Sequence, residues 1–212
     1  MFRQRLRFVF AKEGRLRFIS HHDLMRLFER ALRRSGLPLR FSEGYNPRPQ
    51  VSFPAALALG AESVAEIAEV ELVAWVSPSM AGPRLQGEMP EGLRIVSVQS
   101  VRHGEKAEVV GARYSVRLGA VPADFVNRVK RFMDAATAVV KRNAKAGVKE
   151  INVRGFVRDV QLDGDMLKMD LGVSPAGSVR PEEVLEAILE GPSDALAPLS
   201  ITRTSLDLSP PS

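Results

Sequence analysis

The chain has 212 residues, no cysteine, 45% hydrophobic residues and a formal net charge of +5. The lack of cysteine excludes disulfides, thiolate nucleophiles, cysteine-ligated zinc and cysteine-bound iron–sulfur clusters. The opening Met1-Phe2-Arg3-Gln4-Arg5-Leu6-Arg7 has no apolar signal-peptide core, and no apolar run reaches the ~20 residues of a membrane helix, so a cytoplasmic protein without membrane contact is expected.

Residues 3–10 alternate, with Leu6, Phe8 and Phe10 on one face and Arg3, Arg5 and Arg7 on the other, which predicts a half-buried strand. After Lys12-Glu13-Gly14, residues 16–18 read as continued extended chain. Ser20, with Asp23 three residues on, predicts a helix start. Leu24, Leu27, Phe28, Ala31 and Leu32 form the apolar face of that helix, which Gly36 and Pro38 end. A second strand over 39–42, a stiff loop over 44–49 and extended chain at Val51 and Phe53 follow. Residues 64–76 predict a long strand, 78–88 a short and poor helix, and 93–101 a last strand.

Residues 102–111 read as a linker. A strand at 114–118 comes next, then a helix opened by Pro122 with Phe125, Val129, Phe132, Met133 and Ala136 on one face. A strand over 137–140 is followed by a basic loop with Lys141, Arg142, Lys145 and Lys149. Strands at 157–162 and 166–173 flank the turn Asp163-Gly164-Asp165. Pro181 with Glu182 and Glu183 opens a helix that Gly191 ends, and 199–208 is the final strand. The pattern predicts an α+β chain of two tandem ferredoxin-like (βαββαβ) sandwiches, over 1–102 and 112–208, each an antiparallel sheet with helices on one face.

Charge is uneven. Residues 1–60 carry twelve Lys and Arg against four Asp and Glu, and eleven of the twelve are arginine. Arginine grips phosphate with two parallel N–H groups and stacks on bases, so the bias points to nucleic acid. Arg26, Arg30 and Arg33 recur at helical spacing opposite the apolar face, with Arg34 beside them and a Glu29–Arg33 pair in reach. The 44–49 loop presents Tyr45, Asn46 and, between two prolines, Arg48, either as a docking element or as a stiff connection with Tyr45 capping the core. Arg3, Arg5 and Arg7 face the helix-free side of the sheet, either as a track for a phosphate backbone or paired with Glu69 and Glu71 on the neighbouring strand.

His21 and His22 lie in the first turn of the helix, where the dipole favours a neutral imidazole able to act as a general base on an RNA 2′-hydroxyl. Adjacent histidines point about 100° apart, which speaks against a metal site. No metal or cofactor is expected.

Residues 17–26 and 28–38, with 41–49 and 51–53, form long motifs, joined later by Ile151-Asn152-Val153-Arg154, by 177–185 and by Arg203-Thr204. Together they resemble the radical-SAM-linked protein family over nearly the whole chain. His22 stands where an aliphatic residue is usual, and Gln50 where a basic one is usual. The resemblance implies a domain fused to, or encoded beside, a radical-SAM protein, often near ribosome or RNA-processing genes. Without cysteine the chain only accompanies such an enzyme. The tandem plan is also similar to the repeat-associated RNA-binding and RNA-cleaving proteins of CRISPR systems, although 200–205 lacks their glycine-rich loop. The expectation is a non-catalytic RNA-binding or adaptor module acting with a radical-SAM enzyme in tRNA or rRNA modification or processing. The alternatives are a metal-independent endoribonuclease using His21 or His22, and a purely protein-binding scaffold.

Overall fold

The computed structural model describes residues 4–102, 105–144, 147–193 and 198–210. It divides into two compact units, Met1–Val109 with Leu208–Ser212, and Val110–Asp207. The chain is α+β, with four α-helices among the described residues and antiparallel pairing in every registered strand pair.

In the first unit the order is β1 (Gln4–Lys12), a 3-10 turn (Gly14–Phe18), α1 (His21–Arg34), β2 (Val51–Ser52), β3 (Glu62–Leu72), α2 (Pro78–Gln86) and β4 (Leu93–Val101). The strands lie in the order β4-β1-β3-β2. Alternation in β1 puts Leu6, Phe8 and Phe10, all fully buried, against Leu24, Phe28, Ala31 and Leu32 of α1. Burying each large apolar side chain contributes roughly 1.5–3 kcal/mol, and this seam holds the helix to the sheet. Ser20 caps α1, its Oγ accepting from the Asp23 N–H at 3.1 Å. Gly36, at φ 68°, takes the left-handed conformation that ends the helix. Pro78 opens α2 and Pro83 interrupts it, which keeps it short.

Three expectations differ here. The first is the long strand: β3 ends at Leu72, four residues short of the expected 76. Residues 16–18 belong to the 3-10 turn, closed by Ile19 N–H to the Leu16 carbonyl at 3.1 Å. The strand expected over 39–42 is reduced to single bridges, Leu39 to Leu72 and Phe41 to Pro49. The chain folds back on itself there: Gln50 N–H bonds the Arg40 carbonyl and Ser42 N–H the Arg48 carbonyl, each at 2.8 Å. That local closure takes backbone groups a longer strand would need.

The second unit runs β5 (Val109–Arg117), α3 (Phe125–Asp134), β6 (Val139–Ala144), β7 (Gly147–Asn152), β8 (Val157–Asp163), β9 (Met166–Ser174), β10 (Gly177–Ser178), α4 (Pro181–Leu189) and β11 (Ser200–Leu208). β9 pairs with β5, β8 and β10, and β5 neighbours β11. Val116, Phe125, Val129, Leu167, Met169, Val184 and Leu185 build its core. β5 starts five residues earlier than expected, inside the predicted linker, whose residues 103–104 lie outside the described ones. α3 starts at Phe125, after a turn from Pro122. The basic loop is a hairpin of β6 and β7, in which Arg142 is bound to Glu183 at 2.6 Å; Lys145 lies outside the described residues. Glu183 also accepts from the Arg180 N–H at 2.8 Å, capping α4. Glu190, not Gly191, takes the left-handed position that ends α4.

Candidate functional site

The arginines of β1 are not available as a phosphate track. Register places Arg5 opposite Glu71 and Arg7 opposite Glu69. Arg5 and Arg40 both bind Glu71, at 2.6 and 2.7 Å. Arg7 binds Glu69 at 2.8 Å. Burial alone would raise the Glu71 carboxyl, but hydrogen bonds from Arg5 and Arg40 outweigh it and hold the group below its ordinary value. The segment after β4 closes over this pairing: Arg7 reaches Glu105 at 3.3 Å, the Ala107 N–H donates to Glu69 at 3.1 Å, and Arg5 donates to the Glu105 carbonyl. Arg7 and Glu69 are left 6% and 3% exposed. Arg3 lies outside the described residues.

On α1, His22, Arg26, Arg30 and Arg33 fall within an arc of roughly 80°, opposite the buried side. All four are exposed. Arg26 touches Asp23 only at 3.7 Å. Arg30 has no ion pair or hydrogen bond among the described residues, and it lines a groove of about 490 Å³ with Leu27, Arg34, Glu88 and Met89. Arg33 turns to the loop rather than to Glu29: Nη2 donates to the Pro47 carbonyl at 2.7 Å, and the guanidinium lies 5.1 Å from the centre of the Phe41 ring. Arg34 is committed elsewhere, to the Glu88 carboxylate at 2.7 Å and the Glu88 carbonyl at 3.0 Å.

The 44–49 loop is pinned at its neck. Besides the backbone bond from Ser42 to Arg48, Ser42 Oγ accepts from the Arg48 N–H at 3.0 Å. Gly44, at φ 128°, makes the turn only glycine makes readily. Tyr45 does not cap the core; it is 100% exposed. Asn46 and Arg48 are exposed as well, and the Arg48 guanidinium has no partner among the described residues. The Arg33–Pro47 bond therefore joins the helical stripe and the loop into one cationic surface.

The two histidines diverge. His21 is half-buried, edge-on to Phe53 with ring centres 5.8 Å apart, while His22 is exposed. Burial, then the nearby His22 and Lys12 charges, push the His21 imidazole below its ordinary value. Lys12 is the buried charge that sequence reasoning missed. It is 1% exposed, with Nζ 3.5 Å from the carbonyls of Arg17 and Ile19. It continues the buried Leu6, Phe8, Phe10 face by one more step, but Lys12-Glu13-Gly14 reads in sequence as a break, so the sequence does not predict its burial. Glu66 and Ser63, also buried, lie on the partner strand beside it. Among the described residues, no group of three or more His, Asp or Glu is placed to hold a metal ion, and no helix is long and apolar enough to cross a membrane.

Residues 5–181 match the model of the family described as "Uncharacterized protein conserved in bacteria (DUF2344)". The chain belongs to this family. The match spans the cationic stripe, the loop and both histidines of this DUF2344 member. Among solved structures, the family member is similar to "Crystal Structure of a Cbf5-Nop10-Gar1 Complex" at 12% identity, covering 96% of this chain and 49% of that one with a TM-score of 0.40. It is also similar to "Crystal structure of the archaeal box H/ACA sRNP Nop10-Cbf5 complex" at 11% identity, 92% and 46% coverage and a TM-score of 0.41. The chain spans about half the length of each of those two. A third likeness, to "Crystal Structure of an Unknown Protein from Galdieria sulphuraria", has 14% identity, 88% coverage of both chains and a TM-score of 0.30. No curated protein matches the chain.

Proposed function

We propose that this DUF2344 member is an RNA-binding module whose contact surface is the α1 stripe together with the 44–49 loop. Arg30 and Arg48 have no protein partner among the described residues, Arg26 has only a loose one, and Arg33 ties helix to loop. Exposed guanidinium groups spaced along one helix face favour binding to a phosphate backbone. The Arg33–Pro47 bond carries this reading, because it makes one site of two separate sequence features. On the same reading each unit is a ferredoxin-like sandwich, and the surface lies on the helical side of the first. Partnership with a radical-SAM enzyme rests on motif resemblance, with this module delivering RNA to that enzyme.

The test is RNA binding as a function of salt. Three or four neutralised phosphates give a log–log slope of about −2 to −3 for a single strand. Replacing Arg30 and Arg48 with alanine is expected to flatten the slope by about 1.4 and weaken binding uniformly across sequences. A slope indifferent to salt defeats the proposal. A second reading has one observation in its favour: His22 shares the arc of the arginines, beside a His21 whose imidazole burial pushes below its ordinary value. If the module is instead an endoribonuclease, RNA is cut in EDTA, and the cutting ends when both histidines become alanine.

A further inference from the structure

We infer that the RNA taken by this surface is single-stranded, with one base stacked on Tyr45 and the adjoining phosphates led along Arg48, Arg30 and Arg26. This rests on the RNA reading above and adds the strand state of the ligand. The Tyr45 ring is fully exposed, so the fold uses neither of its faces. The loop that carries it is closed by the two bonds between Ser42 and Arg48. Pro47 and Pro49 fix the backbone on either side of Arg48. The backbone that carries the ring is thus closed at its neck, which lowers the cost of ordering the loop on binding.

A projecting aromatic ring needs a base whose face is free. In an A-form duplex the base faces are stacked on each other, and only phosphates, 2′-hydroxyls and groove edges are on offer. A single strand offers both a base face and its phosphates, and stacking on one aromatic is tolerant of sequence. Phe41 supports the arrangement from beneath. It packs under the Arg33 guanidinium at 5.1 Å, and Arg33 in turn holds the loop through Pro47. Arg26 and Arg30 are one helical turn apart, so their side chains start about 5–6 Å from each other. The cations continue in a line along the helix from the loop.

Fluorescence anisotropy at one low salt concentration compares a labelled single-stranded RNA of about eight nucleotides with a duplex of about sixteen base pairs. The single strand is expected to bind at least tenfold tighter. Tyr45→Ala is expected to cost the single strand about tenfold and leave the duplex unchanged, and Tyr45→Trp to retain the affinity. Thermal melting of both variants should match the parent, because Tyr45 is outside the core. Duplex binding as tight as single-strand binding, or unchanged single-strand affinity in Tyr45→Ala, overturns this inference and leaves the RNA reading standing. Failure of the parent protein to bind either RNA overturns both.

Discussion

Arg33 on helix α1 donates to the Pro47 carbonyl at 2.7 Å, and this one bond fixes how the exposed loop sits against the helix. Replacing Arg33 with alanine removes the tether and the stacking on Phe41 together. The loop should then open more readily, and limited proteolysis should cut faster between residues 43 and 48 while the melting temperature moves little. Arg33→Lys keeps the charge but not the planar stacking, so it should restore only part of the protection. Unchanged cleavage in Arg33→Ala would mean that the neck at Ser42 suffices.

The Arg7–Glu69 pair supports the fold of the first unit, not its function. Both side chains are buried, so Glu69→Ala leaves Arg7 with only the longer 3.3 Å contact to Glu105 and the Ala107 N–H without its acceptor. Urea unfolding should show a loss of about 3–5 kcal/mol. The double replacement Arg7→Met with Glu69→Leu should recover most of it. If Glu69→Ala unfolds like the parent, the pair is wetter than its 2.8 Å contact implies.

In the second unit, Arg158 lies across two facing glycines. A Cβ on Gly111 would sit 2.5 Å from Arg158 Nη1, and one on Gly172 3.5 Å from Nε. Arg158 there donates to the Val110 carbonyl at 2.6 Å and pairs with Asp207 at 2.9 Å and Asp170 at 3.4 Å. Gly111→Ala should push the guanidinium off the sheet and cost about 1 kcal/mol. In an Arg158→Ala background the same change should be nearly neutral, and that coupling is the readout of the double-mutant cycle.

His21 makes stability depend on pH with a defined sign. Its folded-state pKa is depressed by burial, by His22 and by Lys12, so the unfolded chain binds the proton more readily. The contribution of neutral His21 is fully present above the unfolded value near 6.5 and is lost as pH falls below it. The melting temperature should drop between pH 7.5 and pH 5.5, and His21→Gln should flatten that slope. An equal slope in the variant would assign it to other groups.

Much of this architecture is legible from local chemistry. Alternation from Leu6 to Phe10 marks β1, the pair Ser20 and Asp23 marks the start of α1, and Asp163-Gly164 marks the hairpin of β8 and β9. Even the pairing of Arg5 and Arg7 with Glu71 and Glu69 follows from strand adjacency. What escapes depends on distant or irregular partners. Arg34 resembles its neighbours Arg30 and Arg33 in sequence, but Glu88, 54 residues away, engages its guanidinium. Lys12 extends the buried alternation by one step, but its charge and the Glu13-Gly14 that follow read as the end of the strand, so its burial escapes. Residues 39–42 have strand propensity, but the chain returns at 48–50 and bonds to itself. The proposed contact surface was legible as two separate features, a stripe and a loop; the hydrogen bond that unites them involves a backbone carbonyl, which no side-chain pattern reports.

The short cover formed by Glu105 and Ala107 has a practical consequence for dividing the molecule. A fragment cut at residue 102 discards the lid over Arg7 and Glu69 and admits solvent to charges that the intact fold keeps dry. A fragment carried through Val109 keeps the lid. Of the two, the longer piece is the one to make when the first unit is studied by itself.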